Sequence, residues 1–308
     1  MSESAYAPIV LFVFSRPDHT KRTLEALSAN PLAAESDLII FADAARNERE
    51  ANSVAQVRLI AKASSGFRSV QVIERAANYG LARNIIEGVT DVCRRYGRVI
   101  VLEDDILTSP QFLTFMNAAL SRYEIDKGVW HISGWNYPID SSGLGDAFFL
   151  RVMNCWGWAT WGDRWVHFEK NPEKLIAEFD RKMINAFDLN NSGVFWSQVL
   201  NNQRKRINTW AIFWYATIFK NNGLCLNPST SYVDNVGFDG SGTHGRESDK
   251  VHSVPVLCKN ANPNFSGDIS ESNLGIERVI AYYDALKPSF SQRVSGKIKA
   301  LLRGARIR

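Results

Sequence analysis

The chain has 308 residues, of which 45% are hydrophobic and 22% charged, so it is a globular protein with room for one large domain or two smaller ones. Its net charge is +4, but seven lysines and arginines and no acids follow from Lys287 onward, and the remainder is slightly acidic. This distribution argues against a nucleic-acid-binding protein. The four cysteines are widely separated without a CxxC pair, which disfavours a structural zinc site or a disulfide framework and favours a reducing cytoplasm.

Apolar runs alternate with helical patterns through the first third of the chain. The runs at residues 9–14, 37–42, 69–73 and 99–102 predict strands, and each of the first three is followed by a helical pattern, with Leu81, Ile85, Val89 and Val92 on one side of the third helix. The first run is too short for a signal peptide or a membrane span. The spacing predicts an α/β fold with a mostly parallel, doubly wound sheet flanked by helices.

Three consecutive acids, Glu103, Asp104 and Asp105, come directly after the fourth strand. In open α/β sheets, ligands bind beyond the carboxyl ends of the strands. Adjacent like charges need a compensating cation, so the triplet predicts a divalent metal site. The alternative is a solvated turn before a helix that begins at Ser109 and Pro110.

The other predicted strands deliver further polar side chains to the same edge. Arg16 follows the first strand, Asp43 follows the second, and the turn from Asn78 to Arg83 follows the third. Each has a structural alternative: Arg16 could cap a turn, Asp43 could cap a helix, and Arg83 could pair with an acid on its own helix. No Gly-rich GxGxxG loop is present, so phosphate binding has to come from elsewhere.

The second half of the chain is rich in tryptophan. Trp135 and Asn136 follow a predicted strand at residues 129–133, and residues 155–165 contain four tryptophans among small residues. Such rings either stack on sugars or form a core layer, and we expect some of each. Residues 210–216 predict the start of a buried helix. The glycine-rich residues 233–244 predict a flexible loop that closes over a ligand, or a surface loop without a role.

The end of the chain has a basic amphipathic pattern. Residues 287–308 carry apolar residues at helical spacing with lysines and arginines around them. This pattern predicts peripheral contact with an anionic membrane, or a terminal helix that packs on the domain. We therefore divide the chain into residues 1–128, residues 129–286 and a tail at 287–308, and expect a cytoplasmic protein on the inner face of the membrane.

Together, VLEDD at residues 101–105, SGWN at 133–136 and CWGWATW at 155–161 resemble the metal-dependent GT-A glycosyltransferases. The resemblance is to the inverting group of N-acetylglucosaminyltransferase I and its bacterial surface-polysaccharide relatives. It divides the chain into a nucleotide-sugar-binding half and an acceptor-binding half of one GT-A domain.

The resemblance also implies roles for individual residues. It implies Mn²⁺ or Mg²⁺ on Asp105, and a nucleotide-sugar donor, with UDP favoured, near the set Arg16, Asp43, Asn78, Arg83, Glu103, Asp104 and Ser241. We expect a glycan acceptor, either free or lipid-linked, to bind at the set Trp135, Asn136, Trp156, Trp158 and Trp210.

One position departs from the family pattern. Where inverting members carry a carboxylate base, this chain has Ala211. Direct displacement needs a group that takes the acceptor proton. The candidates are Asp239, which is favoured, and Asp163 and His244; the alternative is a carbohydrate-binding or scaffold protein that has lost turnover.

Overall fold

The computed structural model describes residues 6–239 and 257–287. Its centre is an eight-stranded sheet in the order β3-β2-β1-β4-β8-β6-β9-β7. The strands are β1 (Ile9–Val13), β2 (Asp37–Ala42), β3 (Ser69–Glu74), β4 (Arg98–Glu103), β6 (Val129–Ser133), β7 (Ala147–Leu150), β8 (Trp158–Trp161) and β9 (Leu224–Pro228). A two-stranded sheet pairs β5 (Ile106–Thr108) with β10 (Val233–Asn235) in antiparallel register.

The sheet is mostly parallel, as the sequence predicts. Strands β3, β2, β1 and β4 are parallel neighbours, whereas β8 and β7 run antiparallel to the strands beside them. Strands β1 and β2 are buried at every position and β4 at its four central ones, which explains why their sequences show no polar alternation. The mixed α/β fold with helices around a large sheet is confirmed.

Ten helices and a short 3₁₀ turn at Ala33–Glu35 connect these strands within the described residues. The helices are α1 (Pro17–Ser28), α2 (Glu48–Lys62), α3 (Gly80–Tyr96), α4 (Phe112–Arg122), α5 (Gly162–Trp165), α6 (Pro172–Glu178), α7 (Arg181–Phe187), α8 (Trp196–Gln203), α9 (Ala211–Lys220) and α10 (Asn273–Leu286). Helix α3 packs on β1 and β4, and α4 packs on β6 and β8.

The prediction for the buried side of α3 is wrong at one position. Ile85, Val89 and Val92 are fully buried, but Leu81 is 44% exposed. Ala82 is buried in its place, and Leu81, the second residue of α3, faces solvent. Across the described part of the chain, none of the helices combines the length and apolarity that crossing a membrane requires.

Candidate active site

The acidic triplet lies at the end of β4, beside the end of β1. Because these strands are parallel and Phe12 pairs with Glu103, the residues that follow them meet at one edge of the sheet. Arg16 donates from Nη2 to Asp104 Oδ1 and to Asp105 Oδ2, the latter at 2.9 Å. Thr23 of α1 donates to the backbone oxygen of Asp104 at 2.8 Å. One guanidinium therefore fixes two of the three carboxylates.

Burial and mutual repulsion perturb the ionisation of this cluster. Burial, followed by the charges of Asp105 and Asp104, raises the pKa of Glu103 to about 8. Burial also raises the pKa of Asp104, although Arg16 opposes this shift. Burial lowers the pKa of Arg16, but the two aspartates outweigh it, so the pKa of Arg16 is raised overall. At neutral pH, burial and the neighbouring carboxylates therefore favour the protonated form of Glu103.

A segment from the second half of the chain covers these carboxylates. The backbone N–H of Val236 donates to the backbone oxygen of Asp105 at 3.0 Å, immediately after the β5–β10 pairing. At Gly237, an added Cβ would lie 2.3 Å from Asp105 Oδ2, so a larger residue would have to displace the Asp105 side chain. Asp239 then reaches His19 of α1, with 3.2 Å between Oδ2 and Nε2. The favoured base therefore lies at the same edge as the acidic triplet.

The carboxylate of Asp43 is occupied by the protein itself. Its oxygens accept hydrogen bonds from the backbone N–H groups of Tyr79 at 2.8 Å, Gly80 at 2.9 Å and Ala44 at 2.9 Å, and from the side chain of Asn78 at 3.2 Å. A carboxylate has about four acceptor positions, so these contacts use its capacity. Asp43 joins the end of β2 to the start of α3 and supports the turn at Asn78 instead of offering a free acceptor to a nucleotide.

Arg83 pairs with an acid on its own helix, which is the structural alternative that the sequence analysis gave for it. Its Nε donates to Glu87 of the same helix at 2.6 Å, and its guanidinium stacks on the Tyr79 ring at 3.9 Å from the centroid. The Tyr79 ring also contacts the guanidinium of Arg75, which lies 4.6 Å from the ring centroid. The turn after β3 thus presents an aromatic ring held by two arginines beside Asn78.

An aromatic cleft of about 260 Å³ lies next to the carboxylate cluster. Trp135, Trp156, Cys155 and Ala211 are among its lining residues. The rings of Trp156 and Trp135 pack edge to face at 4.6 Å, and Trp156 contacts Phe238 in the same manner at 5.5 Å. The cleft is therefore joined to the segment that covers Asp105.

Three of the predicted acceptor residues are in the core. Trp158 is 1% exposed and stacks on Trp210, itself 3% exposed, at 5.1 Å, so neither ring has a face for a sugar. Asn136 is 1% exposed; its backbone N–H bonds to Ser231 and its side-chain amide to the backbone of Ser229. These assignments are wrong because Trp158 and Trp210 pack in a core layer and Asn136 is enclosed beside Ser229 and Ser231. Of the predicted acceptor residues, Trp135 and Trp156 line a cavity, although Trp135 is also only 3% exposed.

The prediction of Asp163 as the base is also wrong. Strand β8 is antiparallel to β4, and Arg98 at the start of β4 pairs with Trp161 at the end of β8. Asp163 therefore lies at the opposite edge of the sheet from Asp105. Its carboxylate binds Lys127 and Arg164, both at 2.6 Å. Ser241, His244 and residues 288–308 lie outside the described residues.

The cluster fits a divalent ion that takes only part of its ligands from the protein. Asp104 Oδ2 is buried and has no hydrogen-bond partner among the described residues. Within residues 6–239 and 257–287, no group of three or more acidic, histidine or cysteine side chains could enclose a metal. Mn²⁺- or Mg²⁺-type ions commonly use one or two carboxylates and complete their shell with phosphates and water. Asp104 and Asp105 can supply those two carboxylates.

Sequence reasoning missed His19, and it placed Gly237 only within the glycine-rich loop expected to close over a ligand, without its contact to Asp105. His19 lies three residues after Arg16, in the first turn of α1, and this helical spacing could have identified it as a neighbour of the site. The role of Gly237 depends on the β5–β10 pairing, which joins segments far apart in the chain, so no local pattern reveals it.

Comparisons with known proteins find one matching family model and a related sequence. Residues 1–143 match the model of the GNT-I family. The chain is 29% identical over 138 residues to an alpha-1,3-mannosyl-glycoprotein 2-beta-N-acetylglucosaminyltransferase of Arabidopsis thaliana, and this region covers 42% of the chain but only 31% of that protein.

Solved structures give more distant matches. Mannosyltransferase PcManGT from Pyrobaculum calidifontis, solved with GDP-Man and Mn²⁺, is 11% identical over 71% of this chain and 72% of its own, with a TM-score of 0.39. Glucosyl-3-phosphoglycerate synthase from Mycobacterium tuberculosis, solved with Mn²⁺ and UDP, is 12% identical over 52% and 58%, with a TM-score of 0.34. The resemblance drawn from the sequence motifs is confirmed by the family match: the first 143 residues, which carry Arg16 and the acidic triplet, are related to the GNT-I family of glycosyltransferases.

Proposed function

We propose that the protein is a metal-dependent, inverting glycosyltransferase. In this proposal it moves a sugar from a nucleotide-diphosphate donor, with UDP favoured over GDP, to a growing glycan of the bacterial surface-polysaccharide type. The observation that carries the proposal is the Glu103–Asp105 cluster, held by Arg16 at the carboxyl end of β4 inside the segment that matches the GNT-I family.

The donor would bind across the ends of β1 to β4. Asp105 and Asp104 would hold Mn²⁺ or Mg²⁺, and the bound ion would stabilise the charge that develops on the departing nucleoside diphosphate. Arg16 keeps the two carboxylates oriented toward one point. The turn at Asn78, supported by Asp43, would contact the nucleoside.

The acceptor would enter the aromatic cleft beside the carboxylates. Trp156 lines that cleft and is half-buried, and aromatic faces stack favourably on sugar rings. Asp239 would take the proton of the attacking hydroxyl, because an inverting displacement needs a base at the acceptor. Its side chain is 49% exposed and lies beside His19, so a hydroxyl group can reach it.

We further propose that the enzyme works at the inner face of a membrane. The basic tail at residues 287–308 supports this proposal, since cationic amphipathic segments bind anionic lipid surfaces. A lipid-linked glycan would then meet the cleft at the membrane surface.

Calorimetric titration with UDP and with GDP, each with and without Mn²⁺, tests the donor site. We expect UDP to bind only when metal is present, and Asp105→Ala to abolish that binding without changing the circular dichroism spectrum. Asp268→Ala is the matched control, because it changes an exposed aspartate near Arg122 at the C-terminal end of α4. This variant should bind UDP as the wild type does. Metal-independent binding, or equal binding by Asp105→Ala, would refute the assignment.

Ala211 favours a second candidate, a carbohydrate-binding or scaffold protein without turnover. It lines the cleft at the position where the family resemblance places a carboxylate. Release of UDP from UDP-sugars, measured with a panel of glycan acceptors, separates the two candidates. Acceptor-dependent release supports the enzyme, whereas metal-dependent UDP binding without any release would favour the scaffold.

A further inference from the structure

A second cavity, of about 380 Å³, lies where α8 connects to α9. Three cationic side chains, Lys170, Lys205 and Arg206, line it, together with neutral residues and no acidic one. None of the three forms an ion pair with a carboxylate among the residues that the structure describes. Glu169, the acidic neighbour of Lys170, is instead bound by Lys174 at 2.8 Å. The cavity therefore concentrates positive charge without an internal counterion.

Lys170 is the most enclosed of the three cations. It is half-buried, its ammonium donates to the side-chain oxygen of Asn208, and burial lowers its pKa. A cation that has lost water without gaining a carboxylate is destabilised until an anion binds beside it. The enclosure of Lys170 therefore favours an anionic ligand.

The backbone at Lys205 gives independent support. Helix α8 ends with the N–H of Arg206 bonded to the oxygen of Asn201, and the N–H of Lys205 bonded to the oxygen of Asn202, each at 2.9 Å. This is a Schellman motif, and its left-handed position, where glycine is the least strained residue, is occupied by Lys205 at φ +56°. The chain carries a strained lysine where glycine would fold better, which indicates that the side chain serves another purpose.

The basic cavity and the aromatic cleft both draw lining residues from α8. Gln198 lines the cleft and Asn202 lines the cavity, and residues four apart on α8 lie on one face about 6 Å from each other. Asn202 also holds the connection to α9 through two hydrogen bonds with Thr209, at 2.8 and 3.0 Å. A ligand that extends from the cleft along α8 would approach the three cations.

We propose that this cavity binds a phosphate or diphosphate group carried by the acceptor. Lysine and arginine bind phosphate oxygens through charge-assisted hydrogen bonds, and three such cations suit a dianionic group. The identification of the ligand as an acceptor rests on the proposed glycosyltransferase function, whereas the binding of the anion does not.

Titration with inorganic pyrophosphate in EDTA, at low ionic strength, tests the anion site in the full chain. We expect binding to the wild type, and about tenfold weaker binding to Lys205→Gly and to Arg206→Gln, as expected for the loss of one hydrogen bond to a charged group. Lys205→Gly should also unfold at the same temperature as the wild type or a higher one, because glycine relieves the left-handed strain.

A matched control comes from the end of α9. Asn222 occupies the corresponding position of a second Schellman motif, at φ +52°, outside the cavity. Asn222→Gly should therefore leave pyrophosphate binding unchanged. Equal affinity of the wild type, Lys205→Gly and Arg206→Gln, or no binding to any of them, would overturn the proposal.

Two further arms identify the source of the phosphate and separate this site from the donor site. Glucose 1-phosphate should displace pyrophosphate from the wild type, whereas displacement by phosphatidylglycerol vesicles alone would overturn the acceptor assignment. Asp105→Ala should retain metal-free pyrophosphate binding; its loss would place the anion at the donor site and refute the cavity. Failure of UDP to bind with Mn²⁺ would refute the glycosyltransferase without changing the pyrophosphate result.

Discussion

We predict that the protein becomes less stable in acid because of His131, which is buried in the tryptophan core. Its ring is fully buried and stacks on Trp158 at 5.3 Å. Nδ1 accepts from the indole N–H of Trp214 at 3.2 Å, so Nε2 carries the proton and donates to the backbone oxygen of Asn154 at 2.9 Å. Both ring nitrogens are thus used by a neutral imidazole, and burial lowers the pKa of His131 to about 3.

The sign and size of the effect follow from linkage. An unfolded chain, with a histidine pKa of about 6.5, binds a proton that the folded chain excludes, so stability falls as pH drops below that value. From pH 7.5 to pH 5.5 this one residue should remove about 1.4 kcal/mol of the free energy of unfolding. The loss continues until the folded protein itself is protonated, near pH 3.

Urea unfolding followed by tryptophan fluorescence at pH 5.5, 6.5 and 7.5 measures this loss. His131→Gln keeps a donor and an acceptor but does not titrate, so it should remove about 1.4 kcal/mol of the pH dependence. His167→Gln, at an exposed position, is the matched control and should behave as the wild type does. An unchanged pH dependence in His131→Gln would refute the reasoning.

Four further results are expected. Asp239→Asn should lower the transfer rate by about a hundredfold or more while donor affinity, measured by calorimetry, stays nearly constant; near-normal turnover would exclude Asp239 as the base. Gly237→Ala should lower transfer by about a hundredfold, since its methyl group displaces Asp105, and a normal rate would show that the segment can adjust. Removal of residues 288–308 should reduce sedimentation with anionic liposomes, and an equal bound fraction would remove the membrane proposal. Asp37 bonds to Arg68, which holds the pKa of Asp37 below its usual range, so Asp37→Asn should destabilise the protein in urea at pH 7, and this loss should shrink as the pH falls below the ordinary aspartate pKa of about 3.9; a loss that stays constant with pH would contradict this.

The first half of the fold could be predicted because its information is local. The run from Asp37 to Ala42 is a buried strand with the predicted bounds, and Glu103 closes a strand that contains every residue of the predicted run. Strand direction in the second half could not be predicted, because a buried apolar run has the same residue pattern in a parallel strand and in an antiparallel one. The antiparallel course of β8 places Asp163 at the wrong edge for catalysis.

Side-chain roles were harder to predict than strands. The sequence does not distinguish a tryptophan whose ring stacks on a sugar from one whose ring stacks on another aromatic ring. Trp158 and Trp210 stack on each other. Asp43 does cap a helix, but the helix is α3, beyond the intervening β3, and not the one that follows it in sequence. Both outcomes depend on contacts between distant segments, which residue types and spacing do not contain.

The β5–β10 pairing also determines when the site can exist during synthesis. Ile106 follows the acidic triplet directly, but its partner Asn235 is made more than a hundred residues later. Contacts of such high sequence separation form late and require a long loop to close. A nascent chain that has emerged only through the family-matching segment therefore has the acidic turn without Val236, Gly237 and Asp239. The contacts that cover the acidic turn therefore cannot form before this later segment has been synthesised.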